Sequence, residues 1–381
     1  MAIPFHVVFD ARHWKDFGIG TYIRNLAQSI AAQDEENRYT LVAKPEDAGE
    51  LKGFPPNFEV AAYGRPDTSF LHNATFPFFL KTLNADLYHI PLNFIPFFMP
   101  RPYVVTIHDM SSLMFRARNE LRETAHEERY RRGALRATRV IAVSQSTRRD
   151  LETVLHVPSD RIRTIYNAPD PAFLIPDEDV SGDMGTLERY SIKPPFILYA
   201  GTIRPQKNVA RLIEAFAVLR SEMEQHSEFG DLRLVIIGDE LSRHPAVRRA
   251  VIATRVAPYV RFLGFVSTQT LKVFYRAASV FAFPSLYEGF GLAPLEAMAC
   301  GTPVVASSIS ALVEAVGEAA ELVTPDNVFD IARGLREILL DDARRRTLIE
   351  AGRAQARRFD WNQTANCVLD IYREIKQQIR K

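Results

Sequence analysis

Cysteine is nearly absent: Cys300 and Cys367 are the only two among 381 residues. That excludes a disulfide framework and a cysteine-rich metal site, and it suits a reducing cytosol. Long apolar runs are missing too. No stretch of about 18 apolar residues occurs, so no membrane-crossing helix is expected. The N-terminus, MAIPFHVVFDARHWK, has no basic segment followed by a long apolar one and reads as lacking a signal peptide. Neither sign of charge is in excess. Lys and Arg number 47 against 46 Asp and Glu, which leaves no electrostatic footprint for nucleic acid. The first apolar run continues as FDARHWKDFGIG rather than G-x-G-x-x-G, which weighs against a dinucleotide-dependent oxidoreductase. No Asp-x-Asp pair lies near a strand-like end and no His/Cys cluster has ligand spacing, so neither metal nor cofactor is expected.

What the chain does contain is alternation. Short apolar runs at 5–11, 39–44, 103–109 and 140–144 read as buried strands, separated by helical patterns such as GTYIRNLAQSIAAQ at 20–33. A second series follows at 196–202, 233–239, 260–266, 280–285, 303–307 and 319–325, with a helical pattern at 208–223. Between the two series, 167–195 is rich in Pro, Gly and Asp and has little periodicity, as a linker would. This predicts an α/β protein of two doubly wound, Rossmann-like parallel-sheet domains facing across a cleft. The first spans 1–178, a linker 179–195 and the second 196–360. Ligands of such sheets sit at the carboxyl ends of the strands. A last helical pattern, 361–381, either closes the second domain or returns to the first.

One stretch concentrates chemistry. PSLYEGFGLAPLEAMACGTP (284–303) places Glu288 on a strand-to-helix loop and Glu296 in the helix that follows. Pro294 fits the first helical turn and Gly301 the position past its end. Gly289 and Gly291 allow the backbone to bend or approach a ligand, and a helix N-terminus favours an anion. Two carboxylates so placed can accept from the hydroxyls of one ligand. The plain alternative is that Glu296 complements the helix dipole and Glu288 faces solvent.

The surroundings decide between these. EGFGLAPLEAMACGTPVVAS resembles the E-x7-E segment of the retaining nucleotide-sugar glycosyltransferases of family 4, which have the GT-B fold. GIGTYIRNL (18–26), VVTIHDMS (104–111), RVIAVSQSTRRDLE (139–152), IRTIYNAPD (162–170), YAGTIRPQKNVARLIEAF (199–216) and FDWNQTA (359–365) are similar to further segments of that family, in family order. The resemblance implies that Glu296 binds the donor ribose and Glu288 the donor sugar. It implies that backbone N–H groups around Gly289, Phe290, Gly291 and Leu292 reach the sugar or phosphate. Lys207 would neutralise the diphosphate beside Gly201, and Val266 would lie near the base. His108, beside Asp109, would position the donor sugar, and Gly18 and Gly20 would line the meeting place of diphosphate and acceptor. The final helix would cross back onto the first domain. The family's usual arginine positions hold Thr202 and Gln206 here, so Arg204 is a candidate for the missing charge. The GTIRPQKN and HDMS variants look most like the mannosyltransferase branch, so the expected donor is GDP-mannose.

The acceptor is less legible. FPFFL (76–80) and FIPFFMP (94–100) are phenylalanine-rich, proline-bearing and loop-like, and 116–139 holds eight arginines. These are either core packing and a solvated helix face, or a surface for a saccharide acceptor carried on an anionic membrane at its inner face. Lys15 and Asp16 either reach the acceptor or belong to a solvated loop. Alternatives to the main reading are a UDP-sugar enzyme of the same fold, an epimerase or phosphorylase, and a non-catalytic sugar-nucleotide binding protein.

Overall fold

The computed structural model describes residues 4–67, 71–92, 95–115, 120–175 and 182–380, with the side chains of 120–127 left out. Phe94, Arg116 and Arg118 lie outside the described residues, as does the side chain of Arg122. The chain divides into two compact units. One comprises 1–167 and 360–381, the other 168–359.

The first unit is built on a seven-stranded sheet: β1 His6–Asp10, β2 Arg38–Ala43, β3 Phe58–Ala62, β4 Leu87–Ile90, β5 Tyr103–Ile107, β6 Arg139–Ala142 and β7 Ile162–Thr164. Their order is β3-β2-β1-β4-β5-β6-β7, and every pairing is parallel. Strands β1, β4 and β5 are buried along their whole length, as strands covered by helices on both faces must be. The second unit repeats the scheme with β8 Phe196–Ala200, β9 Arg233–Ile237, β10 Val260–Phe262, β11 Val280–Phe283, β12 Val304–Ser307 and β13 Glu321–Val323, in the order β10-β9-β8-β11-β12-β13, again parallel. Both are doubly wound α/β sheets. In each the strand order reverses once, between β1 and β4 and between β8 and β11. That is where such sheets open a crevice for ligands.

Three strands escape the sequence pattern. β3 is an edge strand whose residues are all partly or fully exposed, while β4 and β7 have four and three residues, too few to show a period. The stretch expected as a linker is structured at its two ends. Helices Pro171–Leu174 and Asp183–Arg189 are too short for periodicity, yet Leu187 and Ile192 are fully buried. Arg276 pairs with Asp183 at 2.6 Å and Lys272 donates to the Ile175 carbonyl at 2.6 Å, which fastens this stretch to the second unit. FPFFL is not a loop. It lies in helix His72–Thr82, where Phe76 turns inward, Phe78 outward and Pro77 sits inside the helix.

The last helix, Trp361–Ile379, belongs to the first unit and packs along helix Ile19–Ala31. Asp360 caps it by accepting from the N–H groups of Asn362 and Gln363. A buried polar chain fastens its middle. The Tyr372 hydroxyl meets His89 Nδ1 at 2.6 Å, His89 Nε2 meets Thr106 Oγ1 at 2.9 Å, and Thr106 meets the Tyr22 hydroxyl at 3.0 Å. Burial pushes His89 down to about 3, helped by repulsion from His108. Between about pH 3 and pH 6.5 it is therefore neutral in the folded state while the unfolded chain binds a proton. Stability rises with pH across that window and is lost as pH falls below about 6.5. The melting temperature of the parent is expected to drop from pH 7 to pH 5 more steeply than that of His89→Gln. Parallel curves would show that His89 contributes nothing to the acid sensitivity.

Candidate functional site

In the second unit, β8 and β11 run into the loops 201–208 and 284–291 at the point where the strand order reverses. Gly201 leaves β8 with its N–H on the Ile237 carbonyl at 2.9 Å. The two loops are bonded to each other. The Leu286 N–H donates to the Gln206 carbonyl at 2.7 Å, and Asn208 Nδ2 donates to the Pro284 carbonyl at 3.0 Å. Across this seam Lys207 Nζ meets both carboxylate oxygens of Glu288, at 2.6 and 2.7 Å. The ammonium also stands over the Phe283 ring, 5.3 Å from its centre. Both side chains are mostly buried, 19% and 11% exposed. The pair is thus a desolvated one, made by two residues that the sequence reading assigned to different parts of a ligand.

Glu288 is followed by a tight entry into helix Leu292–Ala299. Gly291 takes φ 134, and a Cβ there would stand 2.8 Å from Leu312 Cδ2, so only glycine fits. No side chain caps this helix. Phe290 commits its ring to packing, edge-on to Phe359 at 5.3 Å.

Glu296 lies one turn into the helix. Its carboxyl keeps some exposure but is surrounded mainly by protein, and this desolvation pushes its pKa up to about 8. The negative charge of Asp170 adds to the rise, and the Tyr275 hydroxyl, donating to Oε2 at 3.4 Å, opposes it. Without a ligand, Glu296 therefore carries a proton at neutral pH. Val266 is half-buried just before Ser267, whose hydroxyl caps helix Thr268–Ala277. Arg204 is exposed, at the start of the short turn Pro205–Lys207, and makes no ion pair with a described residue. Gln206 is buried.

In the first unit, His108 and Asp109 follow β5. His108 stacks edge-on against Tyr22, with ring centres 4.8 Å apart. Its Nε2 is 3.1 Å from the Pro91 carbonyl. A carbonyl only accepts, so Nε2 holds the proton and Nδ1 is the acceptor nitrogen. Burial pushes His108 down to about 4, so the ring is neutral at physiological pH. Asp109 turns to Ser111, accepting from its N–H and hydroxyl at 2.8 and 2.6 Å. Gly18, at φ 64, stands before helix Ile19–Ala31. Gly20 is pressed onto the preceding loop, where a Cβ would be 2.7 Å from the Trp14 carbonyl oxygen. Lys15 is tied to Asp47 and Glu50 at 2.9 and 2.8 Å, and Asp16 to His13 at 2.6 Å.

Sequence reasoning missed Asn208, Tyr275 and Asp170. Only Asn208 carried a local signal, as a polar residue between Lys207 and an apolar helix.

Two parallel α/β units, one with a lysine–glutamate pair and a second, largely enclosed glutamate at its strand reversal, define the class of protein. Comparison with known proteins names it. Residues 18–173 match Glycosyltransferase Family 4, and residues 189–355 match Glycosyl transferases group 1. The chain belongs to the family 4 glycosyltransferases with the GT-B fold. It is 29% identical over 303 residues to the O-antigen chain mannosyltransferase B of Escherichia coli, covering 77% of this chain and 76% of that protein. The serotype-specific mannosyltransferase WbdA of Escherichia coli is 31% identical over 242 residues, which is 64% of this chain but only 29% of WbdA. Among solved structures, sucrose-phosphate synthase from Thermosynechococcus elongatus aligns with a TM-score of 0.77 at 22% identity, covering 98% of this chain and 100% of that one. HepE of Anabaena in complex with UDP-glucose does so at 0.77 and 18%, covering 97% and 99%. These two likenesses concern the fold.

Proposed function

We propose that this glycosyltransferase moves a hexose, mannose from GDP-mannose, onto a saccharide or lipid-linked saccharide acceptor with retention of configuration. The observation that carries the reading is the Lys207–Glu288 pair at the reversal of the second sheet, with Glu296 in the helix that follows Glu288. As the sugar leaves, negative charge grows on the β-phosphate. Lys207 and the uncapped N-terminus of helix Leu292–Ala299 stabilise it. Glu288 accepts from sugar hydroxyls and Glu296 from the ribose. His108, neutral, orients the sugar through hydrogen bonds rather than charge. The acceptor attacks on the face the diphosphate leaves, and the leaving phosphate takes its proton. The choice of mannose rests on the printed names of the Escherichia coli relatives. The lipid-linked form of the acceptor is supported by the exposed rings of Phe78 and Phe98 and by the exposed Arg132 and Arg136, the latter donating to the Phe97 carbonyl.

A thermal-shift screen against nucleoside diphosphates and their sugars tests the donor, because a ligand that binds only the folded state raises its stability. GDP and GDP-mannose are expected to shift the melting temperature most. A larger shift with UDP would overturn the guanine assignment. Transfer is expected to persist in excess chelator, since lysine and a helix N-terminus take the role a divalent ion has elsewhere. Activity lost in EDTA and restored by manganese or magnesium would refute this.

A further inference from the structure

Asn208 is a buried amide that neither the charge pair nor the glutamates explain. It follows Lys207 directly and adopts a left-handed backbone, φ 61 and ψ 26, at the junction of the turn Pro205–Lys207 and helix Val209–Met223. Asparagine is among the few non-glycine residues that tolerate this conformation. The residue is only 6% exposed, and both N–H groups and the oxygen of its amide are engaged. Nδ2 donates to the Pro284 carbonyl at 3.0 Å and to the Pro325 carbonyl at 2.7 Å. Both partners can only accept, so the orientation of the amide is fixed. Oδ1 accepts from Arg211 at 3.4 Å, and Arg211 also pairs with Asp326 at 3.0 Å.

One side chain thus ties together the loops that leave β8, β11 and β13. The β8 loop carries Lys207 and the β11 loop carries Glu288. The Leu286 N–H on the Gln206 carbonyl and the ion pair itself also join these two loops. A ligand that engages Lys207 and Glu288 separately takes the ion pair apart. The Asn208 bonds are made to backbone carbonyls and survive that exchange.

We propose that Asn208 is a positioning residue: it holds the Lys207 loop against the Glu288 loop once the ligand has replaced their mutual ion pair. The inference rests on the reading of Lys207 as the group facing the leaving diphosphate. Asn208→Gly keeps the left-handed backbone and removes the tether. Asn208→Asp keeps the shape but sets an acceptor against two acceptors. Each is expected to lower kcat on the order of tenfold to a hundredfold, as a small misplacement of a reacting group does, with a far smaller change in affinity for the free nucleoside.

The decisive measurement is a double-mutant cycle with Lys207→Ala. A residue that acts through Lys207 has nothing further to lose in its absence, so the double variant should match Lys207→Ala alone. Losses that multiply would overturn the inference, as would an Asn208→Gly rate within twofold of the parent beside a crippled Lys207→Ala. An active Lys207→Ala would overturn both this inference and the reading beneath it. Should Asn208→Gly fail to fold, Asn208→Asp carries the cycle. Failure of both to hold the parent's circular dichroism would make the tether purely structural and end the proposal.

Discussion

Lys207→Ala is expected to lower sugar transfer on the order of a hundredfold to a thousandfold, the range seen when one preorganised group facing developing charge is removed. The expectation follows from position. Lys207 is a cation at the reversal of the second sheet, paired with Glu288 on the loop that leads into the uncapped helix Leu292–Ala299. Binding of a nucleoside diphosphate should weaken as well, because that ligand carries the charge even without the sugar. Binding of the bare nucleoside should not change. Unaltered transfer would remove Lys207 from the chemistry.

The pair with Glu288 makes the companion variant informative. Glu288→Gln keeps the shape of the side chain and releases Lys207 from its ion pair. A nucleoside diphosphate should then bind as tightly as before or somewhat better, while transfer falls sharply because the sugar has lost its charged acceptor. Equal losses with and without the sugar would erase the distinction between the two residues. Stability should respond separately. Removing one member of a largely desolvated pair leaves the other uncompensated, a cost of about 3–5 kcal/mol when burial is complete and less at this exposure. The double variant Lys207→Ala/Glu288→Gln should regain part of the melting temperature lost by Lys207→Ala.

Much of this arrangement was legible in the sequence, and the parts that were not share a cause. Periodicity revealed β1, β2, β5, β6 and all six strands of the second sheet because each lies in a continuous apolar run next to a punctuated helix or turn. It could not reveal β7, which is three residues long, or β3, whose residues are at best half-buried. Glu288, Glu296 and Lys207 could be singled out because residue type and motif order carry that information. Their mutual relation could not. Lys207 and Glu288 are 81 positions apart, and only the parallel pairing of β8 with β11 brings them within 2.6 Å. The same holds for the protonation of Glu296. It depends first on burial, then on Asp170, which raises the pKa, and Tyr275, which lowers it; both lie on other elements and had no place in a local motif. Sequence shows which groups are present; their charge state and partners are properties of the packed interior.

Affinity for the correct nucleoside diphosphate is expected to rise about tenfold per pH unit up to pH 8 and then level off. Glu296 is the reason. Desolvation and the nearby charge of Asp170 push its pKa to about 8 in the ligand-free protein. Ribose hydroxyls donate hydrogen bonds and favour the carboxylate over the acid, so binding must expel the proton. Below pH 8 this costs about 1.4 kcal/mol for each unit. Above pH 8 the proton has already left. The measurement belongs between pH 7 and pH 9, where a terminal phosphate with a pKa near 6 is fully ionised and contributes no slope of its own. Calorimetry in two buffers of different ionisation enthalpy should count close to one proton released at pH 7. Glu296→Gln should bind weakly and without pH dependence, since a buried acceptor of two hydroxyls becomes a neutral amide with one acceptor oxygen. A flat profile for the parent, with no proton released, would mean that the ribose does not contact the Glu296 carboxylate, and the donor would have to be placed elsewhere on the second sheet.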